Sequence, residues 1–223
     1  FSVCATVTAN DILRIGVDPN LKPFVYVDPA EGLTGFDVDI ANEMCIELNK
    51  TCKFVSIEWD GLLPSLNGNK IDVVITGMSI TPERQKSFDF TTPYYRTTSK
   101  LLKMKNNTSP SKIIGIVRGT SDEDYIENSG KFKDFKILAY TNQVDVVLDL
   151  VNGRIDYVLG PEVELQASVD DMPDYEFEFV GEDHNDPAFY GPGIGMALRQ
   201  GDPLLPQLNH AIMAVRDNGK WQQ

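Results

Sequence analysis

The sequence is poor in the residue types that metal centres and nucleophilic active sites need. Only two histidines and three cysteines occur in 223 residues, and none of them has the pairwise spacing of a zinc site. The acidic residues Glu182, Asp183 and Asp186 do not follow the calcium-loop pattern, and no G-x-S-x-G motif supports a serine nucleophile. We expect His210 to be structural and His184 to be solvated in its acidic loop. These residue types and their spacing therefore predict no metal and no cofactor, and they favour binding over catalysis.

Positive charge and long hydrophobic runs are also scarce. The chain has 20 Lys and Arg against 33 Asp and Glu, a formal net charge of −13. This balance argues against nucleic acid and against an anionic membrane surface as partners, because both need a basic face. The longest apolar runs, such as 73–75, are far shorter than the roughly 20 residues of a spanning helix. No phosphate-binding loop is present, and the length predicts one large or two small globular domains.

Cysteine usage bears on the compartment in which the protein folds. The three cysteines are Cys4, Cys45 and Cys52. Small or apolar residues dominate 1–9, and Val7 and Ala9 occupy the −3 and −1 positions of a signal-peptidase site before Asn10. We interpret 1–9 as the remnant of an export signal, so that Cys4 is lost on maturation. A disordered terminus and a lipid anchor on Cys4 are the alternatives. The remaining even pair suits an oxidising compartment.

Predicted strands and helices alternate in two consecutive series. The first has strands over 13–17, 53–57 and 71–76 with helices over 36–48 and 59–66, and the second has strands over 113–117, 136–140 and 155–159 with helices over 122–128 and 143–152. A polar segment over 106–111 separates the two series, and a last helix over 204–218 follows them. The alternation predicts parallel sheets covered by helices, in two small α/β lobes.

The strongest local motif lies at the end of the third predicted strand, where ligands of open α/β sheets bind. Thr76 ends that strand, Gly77 permits close approach of a ligand to the backbone, and Ser79 offers a hydroxyl. Arg84 follows on a short helical turn, and its planar guanidinium suits a carboxylate. We predict that these four residues bind a ligand; a plain surface arginine is the alternative for Arg84.

Several motifs match one known family at the same time. They are Gly35-Phe-Asp-Val-Asp39, Asn42-Glu-Met-Cys45, Trp59-Asp-Gly-Leu-Leu-Pro-Ser-Leu66, Met78-Ser-Ile-Thr-Pro-Glu-Arg84, Asp89-Phe-Thr-Thr-Pro-Tyr-Tyr95, Gly119-Thr-Ser121 and Asn152-Gly-Arg-Ile-Asp156. Through them the chain resembles the periplasmic solute-binding proteins of polar amino-acid ABC transporters, in particular the lysine/arginine/ornithine- and histidine-binding proteins. The resemblance spans residues 13–221.

The resemblance implies a type II periplasmic-binding-protein fold of the α/β class. Two lobes, each a mostly parallel sheet flanked by helices, would be joined by two crossing strands that act as a hinge. Lobe 1 would comprise residues 10–96 and 190–223, and lobe 2 residues 97–189. The resemblance also implies a disulfide between Cys45 and Cys52. The expected protein is a non-catalytic monomer in the periplasm or at the extracellular face, which delivers an amino acid to ABC permease subunits.

The resemblance assigns roles to residues of an amino-acid site. Arg84 would hold the α-carboxylate of the ligand, with support from Ser79 and the backbone at Gly77. Thr120 and Ser121, at the start of a second-lobe helix, would donate further hydrogen bonds to it, which a helix N-terminus favours.

A second set of residues would meet the side chain of the ligand. Trp59 would pack against this side chain, and Asp18 would face its end. An aromatic face beside a carboxylate suits a cation, so the expected ligand is arginine, lysine or ornithine.

Two positions depart from the family pattern. Pro161 stands where the family usually places an Asp that accepts hydrogen bonds from the α-ammonium, and Glu162 is the nearest substitute. Leu21 stands where basic-ligand members often carry an aromatic residue. An uncharged or other polar amino acid therefore stays open as the ligand. The alternative functions are an enzyme of the cyclohexadienyl dehydratase kind, for which Glu162 would supply the acid, and the ligand-binding core of a receptor.

Overall fold

The structure is a computed structural model that describes residues 11–108 and 111–217 of the chain. The predicted export-signal remnant over 1–9 lies outside the described residues. Within the described ranges the chain forms two five-stranded sheets and one three-stranded sheet. None of the helices in these ranges is both long and apolar enough to cross a membrane.

Strands and helices alternate along most of the chain, as the sequence patterns predict, except for runs of consecutive strands over 12–34 and 88–117. The strands are β1 (Ile12–Val17), β2 (Asn20–Leu21), β3 (Val25–Asp28), β4 (Gly32–Thr34), β5 (Thr51–Ser56), β6 (Val73–Val74), β7 (Phe88–Phe90), β8 (Ser99–Met104), β9 (Ile113–Val117), β10 (Lys136–Tyr140), β11 (Tyr157–Pro161), β12 (Phe177–His184) and β13 (Ala197–Arg199). The helices are α1 (Phe36–Glu47), α2 (Trp59–Asn67), α3 (Pro82–Gln85), α4 (Ser121–Asn128), α5 (Gln143–Val151), α6 (Glu162–Asp170), α7 (Pro187–Tyr190) and α8 (Leu205–Asp217).

The two large sheets share one plan. Their strand orders are β5-β1-β6-β13-β7 and β10-β9-β11-β8-β12. In each sheet the first three strands pair in parallel, and the fourth runs antiparallel to both of its neighbours. Four strands of each sheet therefore point in one direction, and the predicted α/β class with mostly parallel sheets is confirmed. We call each large sheet with its helices a lobe, the first and the second in chain order.

Helices cover the sheets, which explains the nearly continuous apolar runs of the central strands. In the first lobe Ile15 of β1 is fully buried in one cluster with Leu62 of α2 and Ile212 of α8. In the second lobe Ile116 of β9 is fully buried in one cluster with Tyr125 of α4. Each lobe thus has a core of its own.

Two segments connect the lobes. Residues 91–98 lead from β7 to β8, and residues 185–196 lead from β12 back to β13. The segments lie side by side, because Ile194 donates its N–H to the carbonyl of Tyr95 and accepts the N–H of Tyr94, both at 2.9 Å. The lobe boundaries predicted at 96/97 and 189/190 fall inside these two segments.

The disulfide that the family resemblance implies is present. Cys45 of α1 and Cys52 of β5 are bonded, with their Cα atoms 5.8 Å apart. That separation lies within the usual range of about 4.4–6.8 Å. The bond ties the end of α1 to the edge strand of the first sheet.

The expectation that His184 is solvated is wrong. His184 ends β12 and is buried, and its Nδ1 lies 3.0 Å from the hydroxyl of Tyr125. The strand continues through the acidic segment with a shift of register after Val180, and this brings the imidazole against α4. Burial lowers the pKa of His184, so the ring is neutral at neutral pH.

Candidate ligand-binding cleft

A narrow cleft lies between the two lobes. The residues that line it from the first lobe are Asp18, Asn20, Leu21, Trp59, Gly77, Ser79 and Arg84. The residues that line it from the second lobe are Val117, Thr120, Ser121, Asp122, Asn142, Gln143, Leu159, Gly160, Pro161 and Glu164. Most of them follow the carboxyl ends of parallel strands, which is where parallel α/β sheets bind their ligands.

The structure brings together most of the residues that the sequence predicts for the site. Seven of the nine predicted ligand-binding residues line the cleft: Asp18, Trp59, Gly77, Ser79, Arg84, Thr120 and Ser121. Thr76 does not line it, because its buried hydroxyl points to the loop after β1 and accepts the N–H of Asp18 at 3.0 Å. Thr76 therefore positions the backbone of Asp18 without lining the cleft itself.

Glu162 also lies outside the cleft, against the expectation that it replaces the missing Asp. Its Oε1 lies 2.9 Å from Nζ of Lys100, which is 3.3 Å from Asp183 as well. The physical reason is the strand pairing. Lys100 belongs to β8, which runs antiparallel beside β11, and Glu162 is the first residue after β11. Its side chain therefore turns towards β8.

Arg84 reaches across the cleft from a single turn of helix. Thr81 caps that turn by accepting the N–H of Arg84 at 3.2 Å. The guanidinium donates to the carbonyl of Ser79 at 2.8 Å and to the carbonyl of Gly119 in the second lobe at 3.0 Å. It also lies 5.5 Å from the ring centroid of Trp59, within the range of a cation–π contact. The guanidinium is thus fixed in position by neutral acceptors.

The charge of Arg84 is perturbed but kept. Burial lowers the pKa of Arg84 to about 10, and the negative charges of Asp122 and Asp124 oppose that change. The group is protonated at neutral pH and is available to an anion.

Gly119 brings the two lobes into contact. Its carbonyl accepts a hydrogen bond from Nε1 of Trp59 at 3.1 Å, in addition to the one from Arg84. Its φ is +73°, and a Cβ there would lie 3.1 Å from a carboxylate oxygen of Asp60 in the first lobe. Any other residue would be strained and would press on the opposite wall, so this close approach requires glycine. The structure therefore shows the cleft closed.

Gly77 is held by a buried carboxylate. Its φ is +59°, a Cβ would meet Leu21 at 2.9 Å, and its N–H donates to Asp37 at 2.6 Å. Burial raises the pKa of Asp37 to about 7, although hydrogen bonds from Gly77 and Tyr94 oppose the rise. The hydrogen bond to Asp37 therefore fixes the position of the Gly77 peptide, which follows β6 and lines the cleft.

Three buried carboxylates line the cleft, in residues that are 2–5% exposed: Asp18, Asp122 and Glu164. Asp18 accepts hydrogen bonds from Asn20 and from the backbone of Trp59. Asp122 accepts one from the hydroxyl of Tyr190 at 3.0 Å. Burial raises the pKa of each of the three. Arg84 is the one basic side chain among the described residues that line the cleft, so the site favours a ligand that brings positive charge.

Gln143 and Glu164 line the cleft without having been predicted from the sequence. Gln143 begins α5, just after β10, and the rule that ligands lie at the carboxyl ends of strands could have found it. Glu164 lies two residues inside α6, and finding it required knowing where that helix begins. Both are 5% exposed and line the second wall of the cleft.

Comparison with known proteins identifies the family. The sequence profile of bacterial extracellular solute-binding proteins, family 3, matches residues 13–223. The chain belongs to this family. It is 36% identical to an L-arginine-binding protein of Pseudomonas aeruginosa in an alignment 228 residues long, which covers 98% of this chain and 88% of that protein. It is 32% identical to the lysine/arginine/ornithine-binding periplasmic protein of Escherichia coli over 222 residues, 96% of this chain and 85% of that one.

A solved periplasmic binding protein has the same fold. A Salmonella typhimurium periplasmic binding protein of high arginine specificity superimposes with a TM-score of 0.87 at 30% sequence identity, covering 95% of this chain and 96% of that one. The family and the two-lobed fold that the sequence predicts are therefore both confirmed. All three relatives carry names that describe binding rather than catalysis.

Proposed function

We propose that this family 3 solute-binding protein captures a basic amino acid, namely arginine, lysine or ornithine, and delivers it to an ABC permease. One observation carries the proposal: a guanidinium and a buried carboxylate, Arg84 and Asp18, line the same closed cleft. A zwitterionic ligand with a cationic side chain has matching charges. The disulfide and the names of the relatives support a role outside the cytoplasm, and the two separate cores support lobes divided at 96/97 and 189/190.

The carboxylate end of the ligand would lie at Arg84. The guanidinium now donates to two neutral carbonyls, and a carboxylate is a stronger acceptor because its charge assists the hydrogen bonds. Ser79, Thr120 and Ser121 line the same cleft and would add donors. The first turn of α4 begins at Ser121, which favours an anion there.

The side-chain end of the ligand would lie at Asp18 and Trp59. Asp18 is 3% exposed, and burial raises the pKa of its carboxyl group. A cation offsets that cost of burial, since a buried unpaired charge is expensive. Trp59 supplies an aromatic face, and Leu21 supplies an aliphatic one.

A neutral polar amino acid such as glutamine is the second candidate ligand. Asp18 already accepts two hydrogen bonds from Asn20, and the amide of Gln143 lies in the opposite wall. The alternative function as a dehydratase needs Glu162 as a general acid in the cleft. Glu162 is instead paired with Lys100 away from the cleft, and the side chain of Pro161 has no proton to donate.

Calorimetric titration of the wild type with the twenty amino acids and ornithine tests the proposal. Arginine, lysine or ornithine should bind more tightly than glutamine. Asp18→Asn should weaken arginine binding about 30-fold, because it removes one partner of a buried charge pair, and should change glutamine binding little.

The control variant is Asp39→Asn, which removes the same charge from an exposed position on α1. It should leave both affinities unchanged. Wild-type affinity for glutamine equal to or above that for all basic amino acids would overturn the proposed ligand class.

A further inference from the structure

The second wall lacks a carboxylate at the position where the family resemblance expects one. Pro161 ends β11 there, and it offers no charge to a ligand ammonium. An ammonium that leaves water without a partner is costly, so another group must balance it. This inference rests on the proposed function, because it concerns how the same cleft holds an amino acid.

Glu164 has the properties that such a partner needs. It is 5% exposed and lines the cleft, and no described residue donates a hydrogen bond to its carboxylate. Successive helix residues are about 100° apart, so Glu164 points almost opposite to Glu162. Because Glu162 turns to Lys100, Glu164 faces the cleft.

Gln143 is a second buried group without a partner in the same wall. It is 5% exposed and lines the cleft, and its Nε2 has no hydrogen-bond partner among the described residues. Buried polar groups in folded proteins are nearly always hydrogen-bonded. A carboxylate without a donor and an amide without an acceptor in the same wall therefore point to an occupant that both donates and accepts hydrogen bonds.

The charges around Glu164 indicate which end of the ligand it meets. Among its neighbours the negative charge of Asp122 raises its pKa most, followed by Asp37 beneath Gly77 and then by Asp18. Asp122 is also the carboxylate that acts most strongly on Arg84. The strand pairing agrees, because β11, which precedes Glu164, lies beside β9, and Gly119 just after β9 accepts a hydrogen bond from Arg84. Glu164 is therefore on the Arg84 side of the cleft. In an α-amino acid anchored at Arg84, the α-ammonium is attached to the carbon next to the ligand's own carboxylate.

Asp122 is the competing carboxylate, but it is already engaged. Its side chain accepts hydrogen bonds from the hydroxyls of Tyr190 and Ser99 and faces the charge of Arg84. We propose that Glu164, on the first turn of α6, accepts the α-ammonium of the bound amino acid in place of a carboxylate at position 161. Glu164 then selects ligands that carry a free α-ammonium.

The test compares arginine with 5-guanidinopentanoate, which is arginine without its α-ammonium. Both ligands are titrated by calorimetry into the wild type and into Glu164→Gln. The substitution should weaken arginine binding about 100-fold, because the ammonium loses its charged partner in a buried site. It should change the affinity for 5-guanidinopentanoate by less than about threefold, since that ligand has no ammonium.

Glu162→Gln is the matched control, two residues away on the same helix and outside the cleft. It should alter neither affinity. Equal losses for the two ligands in Glu164→Gln would overturn the inference, because the residue would then act on the guanidinium or on the fold. Unchanged arginine binding in Glu164→Gln would overturn it as well.

These outcomes are separate from the proposed ligand class. If the wild type prefers glutamine to arginine, the basic ligand class fails, and glutamine is compared with glutaramate, its form without the α-ammonium. A selective loss of glutamine binding in Glu164→Gln would then support Glu164 as the ammonium partner. If no amino acid binds the wild type, the proposed function and the inference fall together.

Discussion

The two walls of the cleft differ in how far the protein satisfies their own polar groups. In the first wall, Asp18 accepts hydrogen bonds from Asn20, Asp37 accepts the N–H of Gly77, and Arg84 donates to carbonyls. In the second wall, Gln143 and Glu164 are buried without side-chain hydrogen bonds to described residues. The protein itself supplies these hydrogen bonds in the first wall, whereas two buried groups of the second wall have no such partner among the described residues.

The walls also differ in charge. The first wall contains both signs, in Arg84 and Asp18, while the second contains Asp122 and Glu164 and no basic side chain among its described lining residues. Closure brings the second wall's negative charge against a bound ligand. We therefore expect a ligand with a cationic side chain to stabilise closure more than a neutral amino acid does, because it adds a positive charge between these like charges.

The largest expected effect is on stability and concerns Asp37. It tests whether this buried carboxyl helps to hold the first wall in place. Its pKa in the folded state is about 7, against about 4 for a free carboxyl, so the folded protein binds the extra proton between these values. Stability should therefore fall as the pH rises from about 4 to 7, by roughly 4 kcal/mol from this group. Denaturant unfolding at several pH values should show a much flatter profile for Asp37→Asn.

The groups that face Asp37 set the control for this experiment. They are the N–H of Gly77, the hydroxyl of Tyr94 and the carboxyl of Glu164, which itself titrates with a raised pKa. The Glu164→Gln variant should still lose stability as the pH rises from about 4 to 7, because Asp37 still titrates in it. If Asp37→Asn keeps the wild-type slope, the buried carboxyl does not govern the stability of the first wall.

Arg84 gives the next largest effect, and it acts on affinity rather than on stability. Charge-assisted hydrogen bonds contribute about 1.5–3 kcal/mol each, and a bidentate pair makes two. Arg84→Ala should therefore weaken binding by about 100-fold or more, measured by calorimetry. Lys86→Ala removes an exposed charge two residues further along the chain and should have no effect. A loss of less than about threefold in a folded Arg84→Ala protein would remove Arg84 as the anchor.

The same difference between the walls explains what the sequence could predict. First-wall residues such as Gly77, Ser79 and Arg84 lie in one continuous motif just after a strand, so a local pattern locates them. The cleft face of α6 depends on where that helix begins and how it is rotated. A shift from Glu162 to Glu164 turns the side chain by about 200°, and no local pattern fixes this. The burial of His184 depends on packing against Tyr125, which is 59 residues away in the chain.

The smallest effect is expected at the rim, where Lys22 of the first lobe pairs with Asp171 of the second at 2.8 Å. Both side chains are more than a third exposed, and such pairs contribute about 0–1 kcal/mol. Lys22→Ala should therefore weaken ligand binding by about threefold or less, and the difference should vanish near 1 M salt, where the screening length is about 3 Å. Asp171→Asn should behave alike. A loss above about tenfold in either variant would mean that the rim, rather than the two walls and their ligand, holds the cleft closed.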